Sequence, residues 1–199
     1  WLENFTEFAI AATGAKIAWL KRLREDAFAR FCETGFPTTR DEDWRFTNVS
    51  PIARTVFRPA GAAKLTREQL AAYGIEGKTA ATLVFVNGRF DAELSHLDNL
   101  PKGLTVSSLR EQIASHPEEL EKHLGRYADT QRDAFVALNT AFLADGAYIH
   151  VARGVVVEAP ISLLYLATEE AAPTVTHPRN LIVAEDASQV AVVEDYVSV

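Results

Sequence analysis

The stretch that decides the fold covers residues 147–199 and has the sequence AYIHVARGVVVEAPISLLYLATEEAAPTVTHPRNLIVAEDASQVAVVEDYVSV. It is rich in β-branched and aromatic residues, and its short apolar runs are separated by brief connections of small, acidic or proline-containing sequence. We predict strands at 148–151, 155–157, 161–166, 181–183 and 190–197. Several short strands in close succession indicate a barrel, a sandwich or the first coils of a β-solenoid, and periodicity alone leaves these three open.

The sequence before residue 80 has a helical pattern instead. Residues 8–31 place apolar side chains along one stripe, which predicts one amphipathic helix that ends before Gly35. A second helix is predicted to start at Thr66, because Thr66 and Gln69 have the spacing of a capping box, and to stop at Gly74.

The central part mixes both patterns. A strand is predicted at 82–86, followed by a tight Asn87-Gly88 turn and a partner strand from Phe90. Three helices are then predicted, with starts at Ser108 and at Ser115 and a third helix over 132–143. The predicted class is α+β, with a helical region at 1–80, a small α/β segment at 81–146 and a β-rich core at 147–199.

Composition limits the function classes. The chain has 199 residues, 24% of them charged, and a net charge of −7 with a pI near 5.3. The absence of a net positive field argues against a general binder of nucleic acid or anionic membrane, and no apolar run approaches the roughly 18 residues of a membrane span. The one cysteine, Cys32, excludes an internal disulfide and favours a cytoplasmic location.

Individual motifs suggest neither catalysis nor cofactor binding by this segment. The triplet Gly77-Lys78-Thr79 resembles the end of a phosphate-binding loop, but Ala72 stands where that motif needs glycine. The histidines lack metal-ligand spacing, since Ala152 occupies the position where a second histidine would accompany His150. We therefore predict no catalytic, metal or cofactor-binding residue here, and we expect Cys32 to be a small buried side chain.

The most unusual local sequence is the acidic and aromatic stretch around Trp44. Its candidate docking residues are Glu42, Trp44 and Arg45, because tryptophan and arginine dominate interface energetics. The residues themselves favour a structural interpretation, in which Trp44 pins a loop in the core and Arg45 pairs with a nearby carboxylate.

Several pieces of the sequence, in order, resemble the SufB/SufD family of the SUF iron–sulfur cluster assembly system, and the front half resembles its SufD branch more than SufB. The pieces are GFPTTR (35–40), EDWRFT (42–47), VFVNGRF (84–90), ALNTAF (137–142), GVVVEAPI (154–161) and HPRNLIV (177–183). The resemblance implies a protein about twice this length, in which a helical region precedes a right-handed parallel β-helix and a C-terminal helical domain. It thereby selects the solenoid for residues 147–199.

The resemblance also implies a function. Members act as non-catalytic scaffolds that pair with a SufB-like paralogue and a SufC-like ATPase, mainly through the C-terminal half, and an iron–sulfur cluster is held transiently by the full complex. Within the family, SufB rather than SufD stays open as an alternative, and two alternatives outside the family stay open as well. One is a solenoid binding module, and the other is a carbohydrate-active β-helix enzyme, for which Glu158 and Glu194 would be the carboxylates to test.

The ends of the sequence suggest a piece of a longer protein. The chain has no methionine, starts at Trp1 and stops within an apolar alternation. Since an uncapped coil is a template for another strand, we expect the segment from Val190 onward to fray or to form a homodimer with the same segment of a second molecule.

Overall fold

The computed structural model describes residues 1–73 and 77–199. Gly74, the predicted end of the helix that starts at Thr66, lies outside the described residues. The helices are α1 (Leu2–Ala11), α2 (Ala18–Thr34), a 3-10 helix (Glu42–Trp44), α3 (Ser50–Arg54), α4 (Arg67–Leu70), α5 (Leu109–Ser115), α6 (Pro117–Glu121) and α7 (Ala134–Ala141). The strands are β1 (Arg58–Pro59), β2 (Ala81–Val86), β3 (Arg89–His96), β4 (Leu104–Ser108), β5 (Ala147–Val151), β6 (Ile161–Ala167), β7 (Thr174–Val175), β8 (Leu181–Ala184) and β9 (Val192–Ser198).

The single helix predicted over 8–31 is wrong, because the chain breaks between α1 and α2. Gly14 adopts a φ of +76° at this break, where a left-handed backbone favours glycine. A Cβ at Gly14 would also lie 2.8 Å from side-chain atoms of Leu20 and Ile113. The break therefore involves close packing against Ile113, about 100 positions later in the chain, which helical periodicity does not reveal. The predicted stop at Gly35 is confirmed, since α2 ends at Thr34.

Most local signals in the centre of the chain are confirmed. Thr66 and Gln69 form the predicted capping box at the start of α4. Ser108 accepts a hydrogen bond from the backbone N–H of Glu111 and caps α5. The Asn87-Gly88 turn joins β2 to β3, with φ values of +50° and +74° as a tight hairpin requires.

Two helix starts and one strand differ from the predictions. Ser115 does not cap α6, because it is the last residue of α5 and its hydroxyl donates to the carbonyl of Glu111 at 2.7 Å. The third helix is shorter than 132–143, since Asp133 caps it directly before α7. Strand β4 was missed, because its polar residues give a weak alternation and its pairing partner β5 lies some 40 positions later in the chain.

Two sheets enclose the main core. One has the strand order β3-β2-β6-β9, the other has the order β4-β5-β8, and a short pair joins β1 to β7. Neither of the two larger sheets closes into a barrel within the described residues. The inward side chains of both sheets form one cluster, whose fully buried members include Leu83, Phe85, Ile149, Ile161 and Leu163.

Parallel pairing dominates the region after residue 147. Tyr148 pairs with Leu181, 33 positions later, and Ile161 pairs with Val192, 31 positions later. The predicted strand at 155–157 is reduced to a single bridge between Val156 and Gln189. Successive passes of the chain therefore lie in parallel register, while a right-handed parallel β-helix stays a prediction. Strand β9 pairs with β6 along one edge, and the homodimer through its other edge also stays a prediction.

The sheets cross the segment boundaries predicted from sequence. Strand β2 lies between β3 and β6, and β4 pairs with β5, so both sheets combine strands from 81–146 with strands from 147–199. The division at residues 80 and 146 stays a prediction. What the structure adds is that the β-rich core needs the preceding segment as a pairing partner.

An aromatic cluster packs the helical region together. Phe5 stacks on Phe28 with ring centroids 4.0 Å apart, and Phe142 from the end of α7 meets both rings edge-on. The His177 imidazole stacks on Phe142 at 4.8 Å, and its Nε2 is buried without a hydrogen-bond partner among the described residues. This ring ties the segment before β8 to the helices.

We predict that His177 makes folding stability depend on pH. Burial lowers the pKa of His177 to about 4, below the ordinary value of 6.5. Between these values the unfolded chain binds a proton that the folded chain excludes. Stability from this group is therefore complete above about pH 6.5 and is lost as the pH falls towards 4, by about 2–3 kcal/mol. Urea unfolding of the wild type and of His177→Phe across this range measures the difference.

The matched control is His116→Phe, because His116 is exposed. It should keep the pH dependence of the wild type, whereas His177→Phe should flatten it. Equal losses of stability in the wild type and in His177→Phe would contradict the prediction.

Candidate docking groove

A groove lies between the 3-10 helix, α7, the residues just before β8, and β9. We call it the docking groove, and it encloses about 710 Å³. The residues that define it are Trp44, Ile52, Phe135, Asn139, Arg179 and Tyr196. It brings together three of the sequence pieces that carry the family resemblance, namely 42–47, 137–142 and 177–183.

Hydrogen bonds within its own loop fix the position of Trp44. Asp41 Oδ2 accepts hydrogen bonds from the backbone N–H of Thr38 at 2.7 Å and from its hydroxyl at 3.1 Å. These bonds lower the pKa of the Asp41 carboxyl, since they favour its charged form. The 3-10 helix starts directly after Asp41 and places the Trp44 ring 5.2 Å from the ring of Phe135.

The structure corrects the interpretation in which Trp44 lies in the core. Trp44 is only half-buried, on one wall of the docking groove. Arg45 is exposed, and its guanidinium lies over the Phe46 ring at 5.5 Å instead of pairing with a carboxylate of the described residues. Glu42 is exposed and is not part of the groove. Of the three candidate residues, Trp44 alone lines the groove.

The floor of the groove is a polar network around Arg179. Its Nε donates to Asn139 Oδ1 at 2.7 Å, and its Nη2 donates to Thr140 Oγ1 at 2.7 Å. Asn139 in turn donates to the carbonyl of Pro178 at 2.9 Å. Burial lowers the pKa of Arg179. The network locks the segment before β8 onto α7 and places a cation beneath the aromatic walls.

The far wall is the end of an aromatic ladder across one sheet. Phe85, Tyr165 and Tyr196 occupy paired positions on β2, β6 and β9, and their rings stack at 4.6 and 4.8 Å. Tyr196 is 62% exposed. Tyr196 is the last residue of this ladder, and its phenol ring lines the groove.

Glu194 orients this wall. It accepts a hydrogen bond from the Tyr196 hydroxyl at 2.7 Å and another from Asn180 Nδ2 at 3.0 Å. Burial, followed by that hydrogen bond, raises the pKa of Tyr196. Glu158, the other carboxylate considered from sequence, is exposed and is not one of the groove residues. The structure does not assemble these two carboxylates into one site within the groove.

The groove combines side-chain types that are common at protein interfaces. Tryptophan, tyrosine and arginine carry most binding energy at such interfaces, and the groove offers Trp44, Tyr196 and Arg179 together. Among the described residues, no group of three or more histidine, cysteine, aspartate or glutamate side chains could hold a metal ion. Cys32 is exposed, so the expectation that it is buried is wrong.

Sequence reasoning missed Phe135, Arg179 and Tyr196 as groove residues. From sequence, Phe135 belongs only to the helix predicted over 132–143, and Arg179 only to the 177–183 piece. Tyr196 belongs to an apolar alternation that predicts a strand but not a groove.

None of the described helices combines the length and the apolar composition needed to cross a membrane.

The sequence is similar to those of one known family. Residues 1–163 match the model of the SufBD protein N-terminal region. An iron–sulfur cluster assembly SufBD family protein of Synechocystis is 31% identical, over 92% of this chain and 40% of its own length. The iron–sulfur cluster assembly protein SufD of Bacillus subtilis is 30% identical, over 91% of this chain and 42% of its own. The chloroplastic protein ABCI7 of Arabidopsis thaliana is 24% identical, over 98% and 42%. The chain spans about two fifths of the length of these relatives.

Because Trp44 is half-buried, we predict a modest stability cost for Trp44→Ala. A fully buried aromatic would cost about 3–5 kcal/mol, whereas loss of one packed face against Phe135 should cost about 1–2 kcal/mol. Denaturant unfolding measures this. Phe46→Ala is the control, since Phe46 is 93% exposed and should change stability by less than about 0.5 kcal/mol. A cost for Trp44→Ala as large as that of a core aromatic would show that the loop is anchored more deeply.

Proposed function

This chain belongs to the SufBD family, and on that premise we propose that it is the N-terminal part of a non-catalytic scaffold subunit in a SUF-type iron–sulfur cluster assembly complex. The observation that carries the proposal is the family match over residues 1–163. The 30% identity with SufD of Bacillus subtilis supports the SufD branch rather than SufB. A cytoplasmic location is part of the proposal.

We propose that the partners are a SufB-like paralogue and a SufC-like ATPase. The family resemblance assigns most of these contacts to the C-terminal half, which lies outside residues 1–199. The docking groove supports an additional protein contact in the N-terminal part, because its aromatic walls and half-buried arginine suit the anchoring side chains of a partner. ATP hydrolysis is then the task of the SufC-like subunit.

The scaffold proposal extends to the fold. We propose that the two parallel passes after residue 147 are the first coils of a right-handed parallel β-helix. Their support is the stacking of residues 31 and 33 positions apart. Each coil of a solenoid buries its edge against the next coil, and β8 and β9 offer backbone groups for such a continuation. In this arrangement β2 and β4, from the segment at 81–146, cover the open edge of the first coil, because they pair with β6 and β5.

A chimera tests the function. Residues 1–199 replace the corresponding N-terminal part of Bacillus subtilis SufD, in cells from which the native SufD is depleted. We expect the chimera to restore the activity of iron–sulfur enzymes, because the family relationship predicts an equivalent scaffold. Co-purification with the SufB and SufC proteins of that organism is the second readout.

Two control variants separate docking from folding. Trp44→Ala in the chimera should reduce co-purification while the protein still accumulates, whereas Phe46→Ala should leave both unchanged. A chimera that accumulates in folded form but restores no iron–sulfur enzyme and retains no partner would contradict the proposed function.

We also predict that residues 1–199 alone hold no stable cluster. Stable iron–sulfur clusters need several thiolate ligands, and the sequence supplies only Cys32. Anaerobic incubation with ferrous iron and sulfide, followed by desalting, should leave no stoichiometric visible absorbance. Cys32→Ser is the control and should behave as the wild type does. A cluster that survives desalting and disappears in Cys32→Ser would contradict the prediction.

A further inference from the structure

A second concave site lies apart from the docking groove, where α1, the β2–β3 turn, the start of α5 and the end of α7 meet. It encloses about 340 Å³, which is within the range of small-molecule sites. We call it the Arg110 cavity, and the residues that define it are Phe8, Arg89, Arg110, Phe142, Asp145 and His177. No step of the scaffold function uses it.

One wall of the Arg110 cavity consists of flat rings. Phe142 is 5% exposed, and the rings of Phe8 and His177 lie 5.3 and 4.8 Å from it. The His177 imidazole is neutral at physiological pH, because burial lowers its pKa to about 4. This wall therefore suits an apolar, planar body.

The opposite side carries charge. Asp145 is buried, and its carboxylate already accepts hydrogen bonds from the backbone N–H groups of Phe90, Arg110 and Gly146, at 3.0, 3.2 and 2.9 Å. The Arg110 Nε lies 3.5 Å from this carboxylate, which is long for a hydrogen bond, and the Arg110 side chain is 43% exposed. The two groups form an ion pair through Nε, whereas the Nη groups of Arg110 form no hydrogen bond within the described residues.

Arg89 adds a second cation to the same side. It is exposed and forms no ion pair within the described residues, and it follows directly after the Asn87-Gly88 turn. Two arginines and one aspartate leave the lining with one net positive charge. Gly88 and Thr176 approach each other closely in the lining of the cavity, since a Cβ at Gly88 would lie 3.0 Å from the Cβ of Thr176.

We propose that the Arg110 cavity binds a small carboxylate with a flat apolar body. The carboxylate pairs with the guanidinium groups of Arg110 and Arg89, whose planar donors match two carboxylate oxygens. The body lies against Phe142 and Phe8. Such a ligand connects the helical region to the β2–β3 hairpin and stabilises the folded chain by mass action. This inference does not depend on the assembly function.

The test compares indole-3-carboxylate with its neutral analogue, indole-3-carboxamide, and with inorganic phosphate. Ligand-observed NMR and thermal shift measure binding to the protein. We expect the carboxylate to bind with a submillimolar Kd, about tenfold tighter than the carboxamide, because only the carboxylate forms charge-assisted hydrogen bonds.

Variants locate the binding. Arg89→Gln should weaken carboxylate binding several-fold and leave the melting temperature unchanged, whereas Arg40→Gln, a matched charge change on an exposed loop residue, should have no effect. Ala60→Leu should abolish binding of both indoles, since Ala60 lines the cavity and a larger side chain would fill it. If Ala60→Leu fails to fold, Arg89→Gln alone decides. Equal affinity for the two indoles, binding of phosphate alone, no binding of the carboxylate, or full affinity in Arg89→Gln would each overturn the proposal.

Discussion

The backbone of Arg179 crosses that of Gly146 so closely that the rest of the structure is arranged around this contact. A Cβ at Gly146 would lie 2.0 Å from the Arg179 carbonyl oxygen, and the φ of Gly146 is +154°. Only glycine permits such an approach without displacement of the neighbouring chain. The backbone N–H of Arg179 donates to the carbonyl of Asp145 at 3.0 Å, so the two segments are also hydrogen-bonded at the crossing.

Side chains next to the crossing extend in three directions. The guanidinium of Arg179 reaches α7 and forms the floor of the docking groove. The carboxylate of Asp145 holds the backbone of the β2–β3 hairpin and of α5, beside the Arg110 cavity. The side chain of Asn180 accepts hydrogen bonds from the Ala147 backbone N–H and from the Tyr165 hydroxyl, and so holds the first strands of the parallel region. One contact therefore positions both concave sites and the start of the β-rich core.

Hydrogen-bonded polar groups give this junction its specificity. The buried Asp145 and the half-buried Arg179 and Asn180 each make several directed hydrogen bonds, and a buried polar group without partners costs about 1–3 kcal/mol. An alternative packing of the helical region on the sheets would leave these groups unpaired. The apolar clusters supply most of the stabilisation, since burial of apolar surface is non-directional, while the polar junction selects one arrangement of the helices and sheets.

The sequence by itself determined the features that depend on a few adjacent residues. The capping box of Thr66 and Gln69, the cap at Ser108 and the Asn87-Gly88 hairpin follow from local hydrogen bonding. The strands at 161–166 and 181–183 follow from their β-rich composition, although their parallel pairing does not, and the ordered sequence pieces identified the family. Only the tertiary structure decided the features that depend on residues far apart in the chain. Gly14 breaks the first helix where Ile113 packs against it, and β4 forms because β5 lies beside it. Trp44 lines a groove rather than the core because Phe135 covers one of its faces. Arg179 and Tyr196 join that groove only when β8 and β9 have paired with β5 and β6. Local propensity is encoded within a turn or two, whereas these contacts join residues separated by tens of positions.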